Sequence, residues 1–362
     1  MAMTETSAAS FKRVPLIRRY VRFLPVTDST PVVSLLEGYT PLIRLDRLAS
    51  KISDKITMYA KFEGMNPTGS FKDRGMTLAV SKAVEGGSKA TICASTGNTA
   101  ASAAAYSARA GITCGVVLPR GAVALGKVSQ SMIHGAKVIA IDGNFDDALR
   151  IVKEITQNYP ITLVNSLNPF RIDGQKTGAF EICDDLGHAP TYHAIPVGNA
   201  GNITAYWRGY RAYKAAGLID RLPVMLGFQA AGSAPIVEGH PIADPQTIAT
   251  AIKIGNPASW EQAVAARDES GGCIEKVSDE QITQAQKLLA DTEGIFCEPA
   301  SGASVAGVIK KAKEGFFTEE CEVVCILTGH GLKDPTRATE ICPPFVELPA
   351  ETDEVAREMN LA

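Results

Sequence analysis

Residues 66–76 read Asn-Pro-Thr-Gly-Ser-Phe-Lys-Asp-Arg-Gly-Met and predict a turn that leads directly into a helix. Asn-Pro and Thr-Gly favour the turn, and Ser70 is a candidate N-cap for a helix that continues to about Ala83. Lys72 then lies in the first helical turn, where the helix dipole opposes a cation and lowers the pKa of the amine. A neutral amine is the form that an imine-forming lysine needs. On spacing alone, a solvated lysine on the helix surface remains the alternative.

Two glycines near this segment resemble part of a nucleotide-binding motif. Gly64 and Gly69 have the G-x-x-x-x-G spacing of a phosphate-binding P-loop. That motif requires Lys and then Ser or Thr directly after the second glycine, whereas Ser70 and Phe71 follow here. The sequence therefore does not predict a P-loop.

Outward from this segment, continuous apolar runs alternate with helical patterns, which predicts parallel sheets covered on both faces. The predicted strands are 91–94, 113–118, 137–141, 192–197, 224–228 and 322–327, and the predicted helices are 99–110, 125–134, 145–158, 203–216, 279–292 and 301–313. Asn and Pro interrupt the pattern at 165–169. We predict an α/β fold of two doubly wound domains with a ligand cleft between them. The smaller, mobile domain is expected at 64–166 and the larger at 1–63 plus 167–362.

The composition is that of a soluble globular protein. The chain has 362 residues, of which 45% are hydrophobic and 21% charged, and its length suggests two domains. Its 36 Lys and Arg against 39 Asp and Glu give a net charge of -3, so neither nucleic acid nor an acidic membrane is indicated as a partner. An anionic substrate must therefore be held by a local site.

The cysteines and the amino-terminal segment bear on location. Eight scattered cysteines form no C-x-x-C pair, which favours buried, reduced thiols and a cytosolic protein. No apolar run approaches the ~18 residues of a membrane span. Basic residues within 1–25 resemble a transit peptide, but the apolar residues around Tyr20 to Leu24 favour a segment packed onto the body.

A predicted strand at 192–197 runs into Gly198, Asn199, Ala200, Gly201 and Asn202, and a helix follows. Glycines at a strand-to-helix turn let backbone N–H groups close around an anion, and the helix dipole adds attraction. The pattern is not G-x-G-x-x-G, so a dinucleotide is not indicated. A simple tight turn is the alternative.

A second strand-to-helix junction carries Ser95, Thr96, Gly97, Asn98 and Thr99. These hydroxyls and amides can receive a substrate carboxylate at the helix N-terminus, and the Asn98 amide can donate to a ring hydroxyl. N-capping by the same side chains is the alternative.

A third polar segment begins at Thr328, directly after the predicted strand 322–327. Its hydroxyl should point into the cleft, because ligands bind at the carboxyl ends of parallel strands. A hydroxyl that faces a pyridine nitrogen leaves that nitrogen largely unprotonated and so weakens an electron sink.

The chain resembles the fold-type II pyridoxal-phosphate enzymes in four features that follow one another in the same order: the Lys72 segment, the loop 95–99, the loop 198–202 and Thr328. These enzymes have the architecture of the tryptophan synthase β chain. The resemblance spans roughly residues 35–340. Within this span, four segments closely resemble the threonine synthases: residues 37–42, the Lys72 segment, residues 199–207 and residues 329–335. Threonine and serine dehydratases are less similar, because their phosphate loop usually carries a run of three or four glycines.

The resemblance implies a role for each segment. Lys72 would be the Schiff-base lysine of pyridoxal 5'-phosphate, with Phe71 beside it among the cofactor contacts. Asn98 would contact the ring hydroxyl, residues 198–202 the cofactor phosphate, and Thr328 the ring nitrogen. Ser95, Thr96 and Thr99 would contact the substrate.

A second anion site is predicted at the domain junction. Arg171 offers a bidentate fork to a phosphate dianion, and Asn165 and Ser166 add amide and hydroxyl donors. The resemblance implies that this segment, with Ser95, receives the phosphate of O-phosphohomoserine, which a homodimeric enzyme would convert with water to threonine and phosphate. A surface arginine is the alternative. His330 stands where many family members carry asparagine, and no role follows for it.

Two other functions remain open on the sequence. A threonine or serine dehydratase of the same family would need no second phosphate site, so Arg171 would be dispensable to it. A non-catalytic phosphate- or nucleotide-binding module would bind no cofactor at Lys72.

Overall fold

The structure, a computed structural model, describes residues 13–121 and 125–361. Its strands are β1 (Leu42–Arg44), β2 (Ile56–Phe62), β3 (Ala90–Ala94), β4 (Thr113–Pro119), β5 (Lys137–Ile141), β6 (Ile161–Leu163), β7 (Tyr192–Pro196), β8 (Val224–Ala230), β9 (Cys273–Val277) and β10 (Cys321–Leu327). Every strand predicted from the sequence is present, and its bounds differ from the prediction by two residues at most.

Helices alternate with these strands. They are α1 (Leu16–Arg19), α2 (Asp46–Ile52), α3 (Lys72–Glu85), α4 (Asn98–Ala110), α5 (Leu125–Ile133), α6 (Phe145–Asn158), α7 (Pro169–Gln175), α8 (Thr177–Leu186), α9 (Gly201–Ala215), α10 (Pro235–Glu238), α11 (Trp260–Glu269), α12 (Asp279–Glu293), α13 (Pro299–Lys313), α14 (Pro335–Ile341) and α15 (Thr352–Glu358). α9 and α13 begin two residues earlier than predicted, at Gly201 and at Pro299.

The strands form two sheets. One has six strands in the order β1-β2-β10-β7-β8-β9, in which only β1 pairs antiparallel with its neighbour. The other has four parallel strands in the order β5-β4-β3-β6. The predicted α/β class and parallel pairing are therefore confirmed. The four-stranded sheet lies within 90–163, inside the range expected for the smaller domain, whose exact limits remain a prediction.

The amino-terminal segment packs onto the body, as its apolar residues predict. Leu16, Ile17, Tyr20 and Leu24 are buried in one apolar core with Phe180 of α8. Residues 1–12, which carry part of the alternative transit-peptide pattern, lie outside the described residues.

All eight cysteines are free, and five of them are buried. Across the described ranges, no helix has the length and apolar character needed to cross a membrane.

A buried ionic network fixes the start of α3. Arg74 is 1% exposed, and its guanidinium donates to Glu63 at 2.7 Å and to Glu181 at 2.6 Å. Lys61, which points inward from β2, lies 3.3 Å from the same Glu181 carboxylate. Because β2, α3 and α8 each contribute to this network, it fixes the position of Lys72, two residues before Arg74.

Replacing Glu181 by Gln removes the carboxylate that Arg74 and Lys61 share. We expect the free energy of unfolding to fall by about 3 kcal/mol at pH 7, because two buried cations each lose one of their carboxylate partners, although Arg74 keeps Glu63 and Lys61 keeps Asp185. Glu154, which pairs with Arg150 on the surface, supplies the matched control, and E154Q should cost less than about 1 kcal/mol. Equilibrium urea unfolding of both variants measures these differences.

The effect should depend on pH. Burial alone would raise the pKa of Glu181, but Arg74 and Lys61 outweigh it and lower the pKa from 4.5 to about 2. Because the pKa of the folded state lies below that of the unfolded chain, the contribution is complete above about pH 4.5 and is lost as the pH falls towards 2. A difference between wild type and E181Q that stayed constant over this interval would contradict the assignment.

Candidate active site

Lys72 is the first residue of α3. The N-cap position is held by Phe71, and the buried Ser70 hydroxyl has no hydrogen-bond partner among the described residues, so the predicted N-cap role of Ser70 is wrong. The turn is held instead by the Asp73 carboxylate, which accepts from the Thr68 N–H at 2.7 Å and from the Thr68 hydroxyl at 2.6 Å. An acidic side chain in the first turn of the helix thus replaces the expected cap.

The amine of Lys72 is suited to imine formation. Burial lowers its pKa most, the Arg171 cation lowers it further, and Glu298 opposes them, which leaves the pKa at about 7. The lowered pKa predicted from the sequence is confirmed in direction, but burial is its largest cause. The amine lies 4.2 Å from the centre of the Phe71 ring.

Two glycines bring α3 and α7 into close contact. A Cβ atom on Gly75 would lie 2.7 Å from the Arg171 carbonyl oxygen, and one on Gly174 would lie 2.1 Å from the Arg74 carbonyl oxygen. Neither position can accommodate a side chain without moving a helix. This crossing sets the guanidinium of Arg171 beside the start of α3, where it acts on Lys72.

Arg171 is a buried cation that forms no salt bridge with any of the described residues. It is 1% exposed, and its Nη1 donates to the Val164 carbonyl at 2.8 Å. Its Nε and Nη2 have no hydrogen-bond partner within the described part of the chain. Burial lowers its pKa to about 10, against the opposing charge of Asp73. Leaving guanidinium donors unpaired in the interior is costly, so the site is suited to an anion that is not part of the chain.

Asn165 and Ser166 differ in the hydrogen bonds that their side chains already make. Asn165 bonds the backbone of Ala94 in both directions, each at 2.9 Å, and so ties the end of β3 to the segment after β6. The Ser166 hydroxyl accepts from the Asn199 amide. The segment predicted to hold the substrate phosphate is therefore in direct contact with the loop predicted to hold the cofactor phosphate.

The loop 198–202 has the form of an anion cradle at the start of the 15-residue helix α9. Ala200 adopts a left-handed conformation with φ of 63°, which turns the chain into the helix. Gly198 has no room for a side chain, since a Cβ atom would lie 2.8 Å from Ile252 Cα. Both amide atoms of Asn202 are buried without a partner in the described residues. These unpaired groups fit a phosphoryl group.

The Ser95 loop does not cap its helix. Gly97 is the N-cap of α4 without a side-chain hydrogen bond, and the Ser95 hydroxyl accepts from the Gly97 N–H at 3.2 Å. Thr96 and Thr99 are partly exposed. The hydroxyls of this loop are thus not engaged in N-capping, the alternative considered for them. Asn98 is the first residue of α4 and points its amide across to Glu298.

Thr328 follows β10, at the carboxyl end of this parallel strand as predicted, and it is buried. Its carbonyl accepts from the Phe71 N–H at 3.0 Å, which joins it to the Lys72 segment. Its hydroxyl donates to Glu298 Oε1 at 3.0 Å. Sequence reasoning missed Glu298, although an acidic residue directly before Pro299 at the start of α13 is a recognisable helix-start pattern.

Sequence comparisons identify relatives over most of the chain. A family model described as pyridoxal-phosphate dependent enzyme matches residues 33–329. The threonine synthase of Synechocystis sp. (strain PCC 6803) is 59% identical over 325 residues, 90% of this chain and 85% of the relative. The threonine synthase of Mycobacterium tuberculosis (strain H37Rv) is 53% identical over 362 residues, 99% of this chain and 100% of the relative.

Solved structures share the fold. Maize serine racemase matches with a TM-score of 0.72 at 20% identity, over 84% of this chain and 92% of that chain. The processed threonine deaminase isoform 2 of Solanum lycopersicum matches with a TM-score of 0.72 at 22% identity, over 84% of each chain. The predicted fold-type II architecture is confirmed. The chain belongs to the pyridoxal-phosphate dependent enzyme family and, within it, groups with the threonine synthases.

Proposed function

We propose that the protein converts O-phosphohomoserine and water to threonine and phosphate, with pyridoxal 5'-phosphate bound at Lys72. The observation that carries this proposal is the buried guanidinium of Arg171 near Lys72, whose Nε and Nη2 have no hydrogen-bond partner among the described residues. A substrate that brings its own phosphate would neutralise that cation. A dehydratase substrate such as threonine has no such group, so the cation favours the synthase. The relatives named threonine synthase, at 53% and 59% identity, support the same activity.

The two anion sites bind two different phosphoryl groups. In this proposal the loop 198–202 holds the cofactor phosphate at the N-terminus of α9, with Asn202 completing the cradle. Asn98 and Thr328 contact the ring hydroxyl and the ring nitrogen. Arg171 holds the substrate phosphate, with Ser166 and Ser95 as further donors. Asn165 acts by holding the Ser95 loop rather than by giving up its own bonds to Ala94.

The chain's own residues handle the protons. Pyridoxal phosphate, when bound, stabilises negative charge at the substrate carbon atoms that lose protons. With a pKa of about 7, Lys72 Nζ is partly neutral near pH 7, so it can accept the proton from Cα and later one from Cβ of the substrate. Thr96 and Thr99 hold the substrate carboxylate at the N-terminus of α4. We also propose closure of the smaller domain over the substrate, a homodimer and a cytosolic location.

The activity is tested by supplying the purified protein with O-phosphohomoserine and measuring phosphate and threonine in the same sample. Equal yields of the two products support the proposal. Formation of 2-oxobutanoate from added threonine, without phosphate release from O-phosphohomoserine, would identify a dehydratase instead. A protein that remains colourless with added pyridoxal phosphate and yields no product would be a binding module.

Replacing Lys72 by Ala should abolish covalent attachment of the cofactor, because the amine that bonds it is gone. We expect no cofactor mass on the protein after borohydride reduction, and turnover lower by at least about 1,000-fold. Lys82 lies on the same helix and pairs with Glu85, so K82A is the matched control and should retain both properties. A K72A variant that turns over at the parent rate would refute the role.

Attachment of the cofactor should follow the neutral fraction of Lys72. Since burial, chiefly, and Arg171 lower the pKa of Lys72 to about 7, the attachment rate to the apoprotein should be half-maximal near pH 7. In R171L the repulsive cation is absent, so the midpoint should move to higher pH. Stopped-flow absorbance gives both profiles, and equal midpoints in the two proteins would show that Arg171 does not act on Lys72.

Replacing Arg171 by Lys removes the bidentate fork but keeps the charge. We expect the KM for O-phosphohomoserine to rise by about 100-fold, because two charge-assisted hydrogen bonds to phosphate are lost. R150K, at an exposed arginine, is the matched control and should leave the KM unchanged. An unchanged KM in R171K would locate the substrate phosphate elsewhere.

A further inference from the structure

Glu298 joins the two residues that are proposed to contact the cofactor ring. Glu298 is buried, with 4% of its surface exposed. Oε2 accepts from Asn98 Nδ2 at 2.9 Å, and Oε1 accepts from the Thr328 hydroxyl at 3.0 Å. Asn98 comes after β3 of the four-stranded sheet, and Thr328 comes directly after β10 of the six-stranded sheet. One buried carboxyl therefore spans the cleft between the sheets.

Burial and the neighbouring groups act on the pKa of Glu298 in opposite directions. Burial raises the pKa of Glu298, while Asn98, Thr328, Lys333 and Lys72 oppose that rise. The Lys333 amine comes from the segment after β10 and is itself anchored by the Thr68 carbonyl at 2.8 Å. Burial outweighs the opposing groups, so the pKa of Glu298 is raised and the protonated form is favoured more than in an exposed glutamate.

The hydroxyl of Thr328 can pass a proton between two neighbours. A hydroxyl has one hydrogen to donate and two lone pairs that accept. Ser301 holds this hydroxyl from a third side, with its Oγ 3.1 Å from Thr328 Oγ1 and 3.1 Å from the Gly329 nitrogen. If Glu298 is protonated on Oε1, it donates to Thr328, and the hydrogen of Thr328 is free to point at the cofactor.

We propose that Glu298 is the proton reservoir for the ring nitrogen of the bound cofactor and acts through Thr328. As negative charge develops on the substrate, the Oε1 proton passes to Thr328 Oγ1 and the hydroxyl's own proton passes to the ring nitrogen. The carboxylate left behind is stabilised by Asn98 and Lys333, and the same steps in reverse return the proton. No further reactant is needed. This step rests on the proposed function to the extent that Thr328 faces the ring nitrogen.

This transfer of a proton from Glu298 through Thr328 to the ring nitrogen, here called the relay, resolves a difficulty with a threonine at this position. A hydroxyl alone leaves the pyridine nitrogen unprotonated and the electron sink weak. A hydroxyl backed by a buried carboxyl can supply a proton only when the ring becomes basic enough to take it. The chain would thus strengthen the sink during the reaction without a permanent charge beside the ring.

Replacing Glu298 by Gln separates this role from a structural one. The amide oxygen of Gln can still accept from Asn98 and its NH2 can still donate to Thr328, so the hydrogen bonds are kept, but Gln has no proton to release. We expect kcat to fall by about 100-fold or more while KM changes little. Glu293, which accepts from the Leu48 N–H, gives the matched control E293Q, which should behave as wild type.

The direct readout is the ring nitrogen itself. Protein loaded with pyridoxal phosphate carrying 15N in the ring is examined by solid-state NMR, with and without 2-amino-5-phosphonopentanoate, whose methylene replaces the phosphate-ester oxygen. In wild type we expect the 15N shift to move towards the protonated value when this analogue binds. In E298Q it should stay at the unprotonated value. The same movement in both proteins, or no movement in wild type, would overturn the relay.

A second pair of variants covers the case in which E298Q fails to fold. T328S keeps a hydroxyl and should show the wild-type movement of the 15N shift, whereas T328V should show none. Movement in T328V equal to wild type would also overturn the proposal. Failure of the proposed function is distinct from these outcomes, because wild type would then release no phosphate from O-phosphohomoserine.

Discussion

The site depends on two basic groups, Lys72 and Arg171, that are buried near each other, where the cation of Arg171 acts on Lys72. The Lys72 amine responds with a pKa lowered to about 7, whereas the Arg171 guanidinium keeps its charge and leaves two nitrogen donors unpaired. An unpaired buried charge destabilises a fold by several kcal/mol. Such an arrangement persists when a ligand supplies the missing charge. Burial, with a smaller contribution from the Arg171 cation, lowers the pKa of Lys72 and so favours imine formation. The two unpaired nitrogen donors of Arg171 fit a phosphate at the same place.

Other parts of the fold maintain this unfavourable proximity. The glycine contacts between α3 and α7 allow the helices to approach closely, and the network of Arg74, Glu63 and Glu181 prevents α3 from moving away. Asp73 holds the turn before Lys72 in place of a conventional N-cap. The stability of the ionic network and the reactivity of the amine are therefore coupled, because Arg74 of the network and Lys72 lie in the same turn of α3.

Much of the fold and the main polar segments of the candidate site were predictable from the sequence. The strand-helix alternation identified the parallel strands with long apolar runs, and the order of four polar segments predicted the candidate site. Strand β2 was not predicted, because the inward-facing Lys61 interrupts its apolar pattern and the partner Glu181 lies far along the chain. For the same reason Glu298 was missed: its contacts with Asn98 and Thr328 span 200 and 30 residues. The predicted cap at Ser70 was wrong, because a local pattern does not reveal that Asp73 satisfies the turn.

The most direct measurement is a crystal structure of the holoenzyme with bound 2-amino-5-phosphonopentanoate, since it locates two phosphoryl groups at once. The account predicts the cofactor phosphate in the loop 198–202 and the phosphonate within hydrogen-bonding distance of Arg171 Nε and Nη2. A phosphonate bound elsewhere, with those two nitrogen atoms still unpaired, would contradict it.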